Sequence, residues 1–409
     1  MAEAYIVAAK RTAGGRKGGA LADWHPGDLG AQTLNAIVDD SKVDPSAIED
    51  VIVGCVSQAG EQSNQIGRTA VLASNLPQSV PAVTIDRQCG SSQQSIQFAA
   101  QAIMSGTQDL VIAAGIESMS RCPMGINARA GKVFDGPTDP TPQSVKDQYG
   151  IRQFSQFIGA EMIAKKWGHT KEALDAYSVR SHQRGRDARN AGAFDKEIVA
   201  IMGRTADGGT ALHKHDEGIR DDASMEAMAQ LKILMEDGAL TAANASQICD
   251  GSSAVMIASE QALKDHNLTP LARIHNLTVT AGDPVIMLEE PLFATDRALK
   301  RAGMSINDID LYEVNEAFAP VPMAWLEHTG ADPDKLNVNG GAIALGHPLG
   351  ATGTKLMTTL VHALHARGKK WGLQTMCVLN SSNSSGGTFT MPSGGQIATI
   401  NGNSYLEHQ

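Results

Sequence analysis

Aromatic residues are scarce in this 409-residue sequence, at 4%, and cysteine is present five times without any CxxC or Cys/His ligand spacing. Cys55, Cys89, Cys122, Cys249 and Cys377 are odd in number and widely scattered, so neither a zinc site nor a disulfide framework is expected, and no metal. Free thiols in a reducing compartment are the simplest account, which makes the expected location cytoplasmic. No apolar run is long enough to span a bilayer. The opening Met-Ala-Glu-Ala-Tyr-Ile-Val-Ala-Ala-Lys lacks the basic segment and long apolar stretch of a signal peptide and goes straight into a strand-like pattern. Positive charge is also short. The net charge of −10 argues against a nucleic-acid or anionic-membrane surface, both of which need clustered lysine and arginine. It leaves room for a small anionic ligand, because local basic residues bind phosphate on an acidic protein.

Apolar residues, in contrast, make up 42% of the chain and glycine occurs 41 times, which points to a well-packed protein with many tight turns and close backbone approaches. The length exceeds what one compact core serves, so two or three lobes are expected. Short β-rich runs alternate with longer amphipathic runs, the signature of α/β architecture. Ala4–Ala9, Val51–Val56 and Ala82–Ile85 read as strands, Ser92–Gly106 as a helix rich in small residues, and Leu110–Gly115 as a strand covered on both faces. From about Ser120 to Asn244 the pattern changes to helices and loops with little strand, including charged helices at Glu161–Gly168 and Lys171–Ala191. Alternation resumes at Val255–Ala258, with strands at Leu271–Val279 and Leu311–Val314 and a helix at Gly353–Ala366. Two similar halves with an insertion in the first fit this order, although no residue-level repeat is visible. Leu379–Gly387 is a polar, low-complexity run that reads as loop.

Four places carry chemistry. Cys89 stands in Asp86-Arg87-Gln88-Cys89-Gly90-Ser91-Ser92, between a strand pattern and a helix pattern, where a helix N-terminus favours thiolate over thiol. The blander alternative is a small buried hydrophobe. His347 lies inside Gly340–Gly353 (GGAIALGHPLGATG), where flanking glycines and Pro348 can present it rigidly as a general base. That run also reads as a plain glycine-rich turn, and it has no nucleotide-loop order. Asn315, in Glu313-Val314-Asn315-Glu316-Ala317-Phe318-Ala319, either orients a histidine or a water or simply caps the next helix. Cys377 follows the strand-like Leu373–Met376 and is either a tuned acid/base or core.

Taken together, in this order and spacing, these four segments resemble the thiolases. Smaller matches fill the gaps at Gly115–Ser120, Ser181-His182-Gln183, Asp216-Glu217 with Arg220, and Thr241–Ser246 leading to Asp250-Gly251. The resemblance runs through almost the whole chain up to Cys377. It implies an α/β fold with a five-layer α-β-α-β-α core of two similar halves: residues 1–119 with 248–268, and residues 269–409. Residues 120–247 would be an inserted, CoA-binding loop domain. It also implies an acyltransferase that thiolytically cleaves 3-ketoacyl-CoA, with coenzyme A as substrate and no permanently bound cofactor. Carried over, Cys89 is the nucleophile, His347 its base, Cys377 the acid/base at the α-carbon, and Asn315 the holder of an oxyanion-site water. Arg220, Ser246, Leu231 and Phe318 are the implied CoA contacts. The implied partners are acyl-CoA substrates and a second copy or more of the chain, as a homodimer or a dimer of dimers.

This sequence departs from the family pattern at three places. Ala227 stands where some members have a CoA-contacting serine. Phe157-Ile158-Gly159 replaces the His-Met-Gly of biosynthetic acetoacetyl-CoA thiolases, which leans toward a degradative enzyme for longer or bulkier acyl chains. After Cys377 the expected compact glycine cluster, one N–H of which serves the oxyanion hole, gives way to a longer polar run. Glycine pairs come only at Gly386-Gly387 and Gly394-Gly395. The alternatives are condensation of two acetyl-CoA, a catalytically impaired CoA- or lipid-binding relative, and a ketoacyl synthase. Cys377 and the Asn315 segment weigh against the last.

Overall fold

The computed structural model describes residues 2–378 and 394–401. The polar run after Cys377, including Gly386-Gly387, lies outside the described residues. The main strands are β1 (Tyr5–Thr12), β2 (Asp50–Gly54), β3 (Ala82–Ile85), β4 (Leu110–Ser118), β5 (Cys249–Ala258), β6 (Ala272–Val279), β7 (Leu311–Val314), β8 (Trp371–Val378) and β9 (Gly394–Asn401). The main helices are α1 (Pro26–Ser41), α2 (Ile66–Ala73), α3 (Ser91–Ser105), α4 (Gln156–Trp167), α5 (Lys171–Asn190), α6 (Glu290–Ala302), α7 (Pro320–Thr329) and α8 (Thr352–Ala366).

The strands run β7-β8-β9-β6-β1-β5-β4-β2-β3, joined in the middle only by the short antiparallel contact of Tyr5 and Ile6 with Arg273 and Ala272. On either side of that junction the pairing is the same. β1 is antiparallel to β5, β5 to β4, and β4 is parallel to β2. Likewise β6 is antiparallel to β9, β9 to β8, and β8 is parallel to β7. The two halves therefore share one topology, although their residues show no repeat.

Three apolar clusters separate the layers. α1 and α2 cover the outer face of the first half, with Leu34, Ile37 and Val71 on Val51, Ile112 and Met256. α6 and α7 cover the outer face of the second, with Leu292, Val321 and Trp325 on Tyr312, Val314 and Leu373. Between the halves lie α3 and α8, whose Ile96, Ile103, Met357 and Leu360 meet Val111 and Ile257 on one side and Ile274 and Leu311 on the other. This is the five-layer α-β-α-β-α order. β4 and β5 are buried at every position, as strands covered on both faces must be.

Residues 120–247 contain α4, α5 and a hairpin of Ile201–Arg204 with Thr210–His213. α4 begins five residues before the sequence pattern placed it, because Ser155 caps it by accepting from the Ile158 N–H.

The two central helices start against each other's loops, and glycine makes that possible. A Cβ on Gly54 would lie 2.3 Å from the Ser92 nitrogen, one on Gly353 2.0 Å from the Gln93 nitrogen, and one on Gly115 2.4 Å from the Ala351 Cα. These obstacles are backbone, which cannot swing aside as a side chain could. The contact is sealed by the Thr354 N–H donating to Ser92 Oγ at 3.0 Å and Gln374 Nε2 donating to the Gly353 carbonyl at 2.8 Å. Gly353→Ala is expected to destabilise the protein by about 1–3 kcal/mol through overpacking. Urea unfolding would show it, and an unchanged midpoint would refute the tight contact.

Candidate active site

Each candidate residue sits at the end of a strand or in a loop that the central layer holds. Cys89 follows β3 and precedes α3, whose N-cap is Gly90, so the thiol lies just outside the helix rather than in its first turn. It is buried, at 1% exposure, in the apolar cluster that also contains Cys377, Met376, Phe318 and Leu349. Gln88 before it takes a left-handed φ of 49°, and the Gly90 and Ser91 amides bond back to the Arg87 and Gln88 carbonyls. The nucleophile candidate is thus carried on a tight turn.

His347 comes from the facing loop. Its backbone N–H donates to the Gln247 carbonyl at 3.0 Å. Its ring Nδ1 is 2.5 Å from Thr352 Oγ1, and that hydroxyl donates to the Pro348 carbonyl at 2.9 Å. With the threonine proton committed, Nδ1 carries hydrogen and donates, and Nε2 keeps its lone pair. Asn315 Nδ2 lies 3.5 Å from that Nε2, and Asn315 Oδ1 is buried with no partner. An acceptor stranded beside the histidine is where a water or a substrate group can bind.

Asn315 is not a helix cap. α7 begins at Pro320 with Ala319 as its N-cap, and the Asn315 amide instead donates to the Thr375 carbonyl of β8 at 3.1 Å. That bond ties the asparagine to the strand that carries Cys377 two residues on. Cys377 is fully buried, and its backbone pairs with Gly395 of β9. The glycine pair Gly394-Gly395 thus opens the closing strand alongside Cys377.

Burial sets the protonation states. The buried His347 ring, with the Lys355 ammonium nearby, has its pKa pulled down to about 3. The Cys377 thiol is pushed up to about 12 by loss of solvent. At neutral pH the pair is therefore a neutral base and a protonated acid.

Two adjoining cavities lie here, and one of them reaches His347. The inner one, about 280 Å³, is lined by His347, Phe318, Ser246, Phe157, Met119 and Leu234. The outer one, about 220 Å³, is lined by Arg220, Leu231, His182, Ser224, Ala227 and Ile343. Ala242, Ala245 and Gln247 border both. The four expected CoA contacts thus divide into an outer pair, Arg220 and Leu231, and an inner pair, Ser246 and Phe318. Arg220 forms no salt bridge with a carboxylate among the described residues. Its backbone N–H donates to His182 Nδ1 at 3.2 Å, and burial brings the pKa of that histidine down to about 4. Ala227 offers no hydroxyl, and nearby Ser224 uses its own to cap a helical turn by accepting from the Ala227 N–H.

Residues 4–261 match the family described as "Thiolase, N-terminal domain", and residues 268–387 match "Thiolase, C-terminal domain". The chain belongs to the thiolase family. It is an acyltransferase. A steroid 3-ketoacyl-CoA thiolase of Mycobacterium tuberculosis is 52% identical over 379 residues, covering 92% of this chain and 91% of that one. An acetyl-CoA acetyltransferase of Chromobacterium violaceum is 40% identical, covering 92% and 96%. The crystal structure of human mitochondrial 3-ketoacyl-CoA thiolase superposes with a TM-score of 0.87 at 36% identity, covering 98% of this chain and 99% of that one.

Several residues of this thiolase site gave no separate signal in the sequence. Glu117 is buried and accepts from the Val56, Ser57 and Gly350 amides and from Gln62 Nε2, at 2.8–3.1 Å, fixing the turn after His347 to the loop after β2. Gln247 donates from Nε2 to the Gly218 and Ile343 carbonyls and shapes both cavities. Thr352 lay inside the fourteen-residue glycine segment, five residues beyond the histidine, which is one signal that could have found it. Thr352→Val keeps the shape and removes the acceptor for His347 Nδ1. It is expected to lower kcat about tenfold, from a loss of about 1–2 kcal/mol of ring orientation, with KM for CoA little changed. Steady-state kinetics would check this, and wild-type kcat would contradict the assigned tautomer.

Proposed function

We propose that this thiolase cleaves 3-ketoacyl-CoA with coenzyme A, releasing acetyl-CoA and a shortened acyl-CoA through an acyl-enzyme on Cys89. The observation that carries the reading is the backbone-distance packing of α3, which follows Cys89, against the start of α8, which follows His347, with Asn315 beside the His347 ring and bonded to the strand that carries Cys377. His347 Nε2 takes the Cys89 proton as sulfur attacks the keto carbon. The oxyanion so formed is held by the protonated ring and a water on Asn315. The bond between the keto carbon and the α-carbon then breaks, and its electron pair leaves as the acetyl-CoA enolate. Cys377 gives that carbon a proton. A second CoA thiol attacks the acylated Cys89, returning the sulfur to the enzyme, while the thiol's proton restores the protonation of the site. Run backwards, the same groups perform Claisen condensation.

The CoA nucleotide would lie toward Arg220, whose fixed charge suits phosphate, and the pantetheine would pass Leu231 and Ser246 to Phe318. Residues 120–247 would serve as the CoA-binding loop domain, with 1–119 plus 248–268 and 269–409 as the two catalytic halves. A degradative role with bulky acyl chains, of fatty-acid or sterol side-chain type, is supported by three features. Phe157 stands in place of histidine and packs edge-on to Phe318 at 5.1 Å. The inner cavity adds Met119, Met124 and Leu234 around them. A relative sharing half its residues with this chain carries a steroid 3-ketoacyl-CoA thiolase name. Homodimers or dimers of dimers in the cytoplasm complete the proposal. No helix among the described residues is long and apolar enough to cross a membrane.

A thiolysis assay with a long or branched 3-ketoacyl-CoA and with acetoacetyl-CoA tests this reading. The bulky substrate is expected to give the higher kcat/KM, and the absence of CoA-dependent cleavage of either would refute it. Cys377→Ala is expected to retain acyl transfer from an activated thioester and to lose α-proton exchange of acetyl-CoA. Retained exchange would remove the role given to Cys377.

A further inference from the structure

Lysine is among the residues least often buried, because its ammonium forfeits strong hydration. Lys355, in the first turn of α8, is nonetheless only 4% exposed. Its Nζ donates to the carbonyls of Leu345, at 2.5 Å, and Gly346, at 3.0 Å. These are the two carbonyls immediately before His347. Gly346 has a φ of 81°, and a Cβ there would lie 2.6 Å from Cys249 Sγ, so the turn into the histidine is available to glycine alone.

Charges surround the ammonium from three elements. Asp216 of the inserted segment stands 3.9 Å away, held by Arg11 of β1 at 2.8 and 3.1 Å and by the Gly14 amide at 2.7 Å. Arg11 also binds Glu197 at 2.6 Å, and Glu197 accepts from Thr359 Oγ1 of α8 at 3.0 Å. The Cys249 thiol of β5 completes the surroundings, its pKa pushed up to about 12 by burial. The His347 ring itself faces Thr352, Asn315 and the field of Lys355.

We propose that Lys355 is a positioning residue for His347, fixing the turn that presents the ring and keeping the ring in its proton-accepting form by charge repulsion. The inference rests on the reading of His347 as the base. Burial lowers the proton affinity of the ring first, and the ammonium adds to it. Two carbonyls and a carboxylate compensate the lysine, which makes it tolerable at this depth. Like charges repel, so removing the ammonium raises the proton affinity of the imidazole. The neutral, accepting form is then lost at a higher pH on the way down.

Two variants separate charge from shape. Lys355→Gln keeps an N–H donor for the carbonyls and removes the charge; Asp216→Asn leaves the lysine charge uncompensated. Ring titration of His347, followed by NMR of histidine-labelled protein and assigned against His347→Ala, reads the effect without needing turnover. Lys355→Gln is expected to raise proton affinity at His347 about tenfold or more, one pH unit of midpoint, and Asp216→Asn is expected not to raise it. The acid limb of kcat/KM for thiolysis should move upward with the Lys355→Gln midpoint. An unmoved ring titration in Lys355→Gln, or a raised one in Asp216→Asn, would overturn the proposal, and so would a moved titration with a stationary acid limb. Because wild-type thiolysis is scored separately, failure of the cleavage reaction itself is told apart from failure of the lysine's role.

Discussion

Two loops from two halves of one chain are pressed together at backbone distance, and the chemistry of this thiolase depends on that contact. Gly54 and Gly115 come from the first sheet, Gly350 from the loop of the second half and Gly353 from the first turn of α8. At each, a single added carbon would strike main chain. Main chain has nowhere to go in a layer covered on both sides, so the approach is fixed by the absence of side chains. Glu117 adds a polar rivet: its carboxylate, buried at a cost only hydrogen bonds can offset, gathers amides from both loops. The result is a site set in place before substrate arrives, which is how positioned groups lower a barrier without reorganising.

Burial then acts on the two proton carriers in opposite directions. It strips solvent from an imidazole and from a thiol alike, and each retreats to its uncharged form. The resting centre therefore holds a proton acceptor and a proton donor with no net charge between them. In the proposed reaction negative charge develops only on the substrate, where the protonated ring and a water bound to the stranded Asn315 oxygen would donate to it.

Much of this was legible in the sequence where a residue's neighbours constrain it as strongly as the fold does. The glycines around His347, the turn at Cys89 and the unbroken apolar run of β4 each announce a close approach or a covered strand. Asn315 was ambiguous because its segment looks like a helix entrance, and only the start of α7 at Pro320 decides against a cap. The duplication was hidden for a different reason. Topology repeats between the halves through strand order and pairing sense, which many apolar sequences satisfy equally. Lys355 was the least legible. A lysine in a helix reads as solvent-facing, and nothing local reveals that α8 is sandwiched between two sheets with Asp216 and two carbonyls waiting for it.

In the proposed reaction Cys89 is the sulfur that carries the acyl group, and His347 takes its proton. Trapping that intermediate tests it most directly: protein incubated with excess acetyl-CoA, acid-quenched, digested and mapped by mass spectrometry. One acetyl group is expected on the peptide containing Cys89 in the wild type, and none there when His347 is replaced by alanine. Acetyl found instead on Cys377, Cys55 or Cys249, or on Cys89 equally without the histidine, would contradict the central claim.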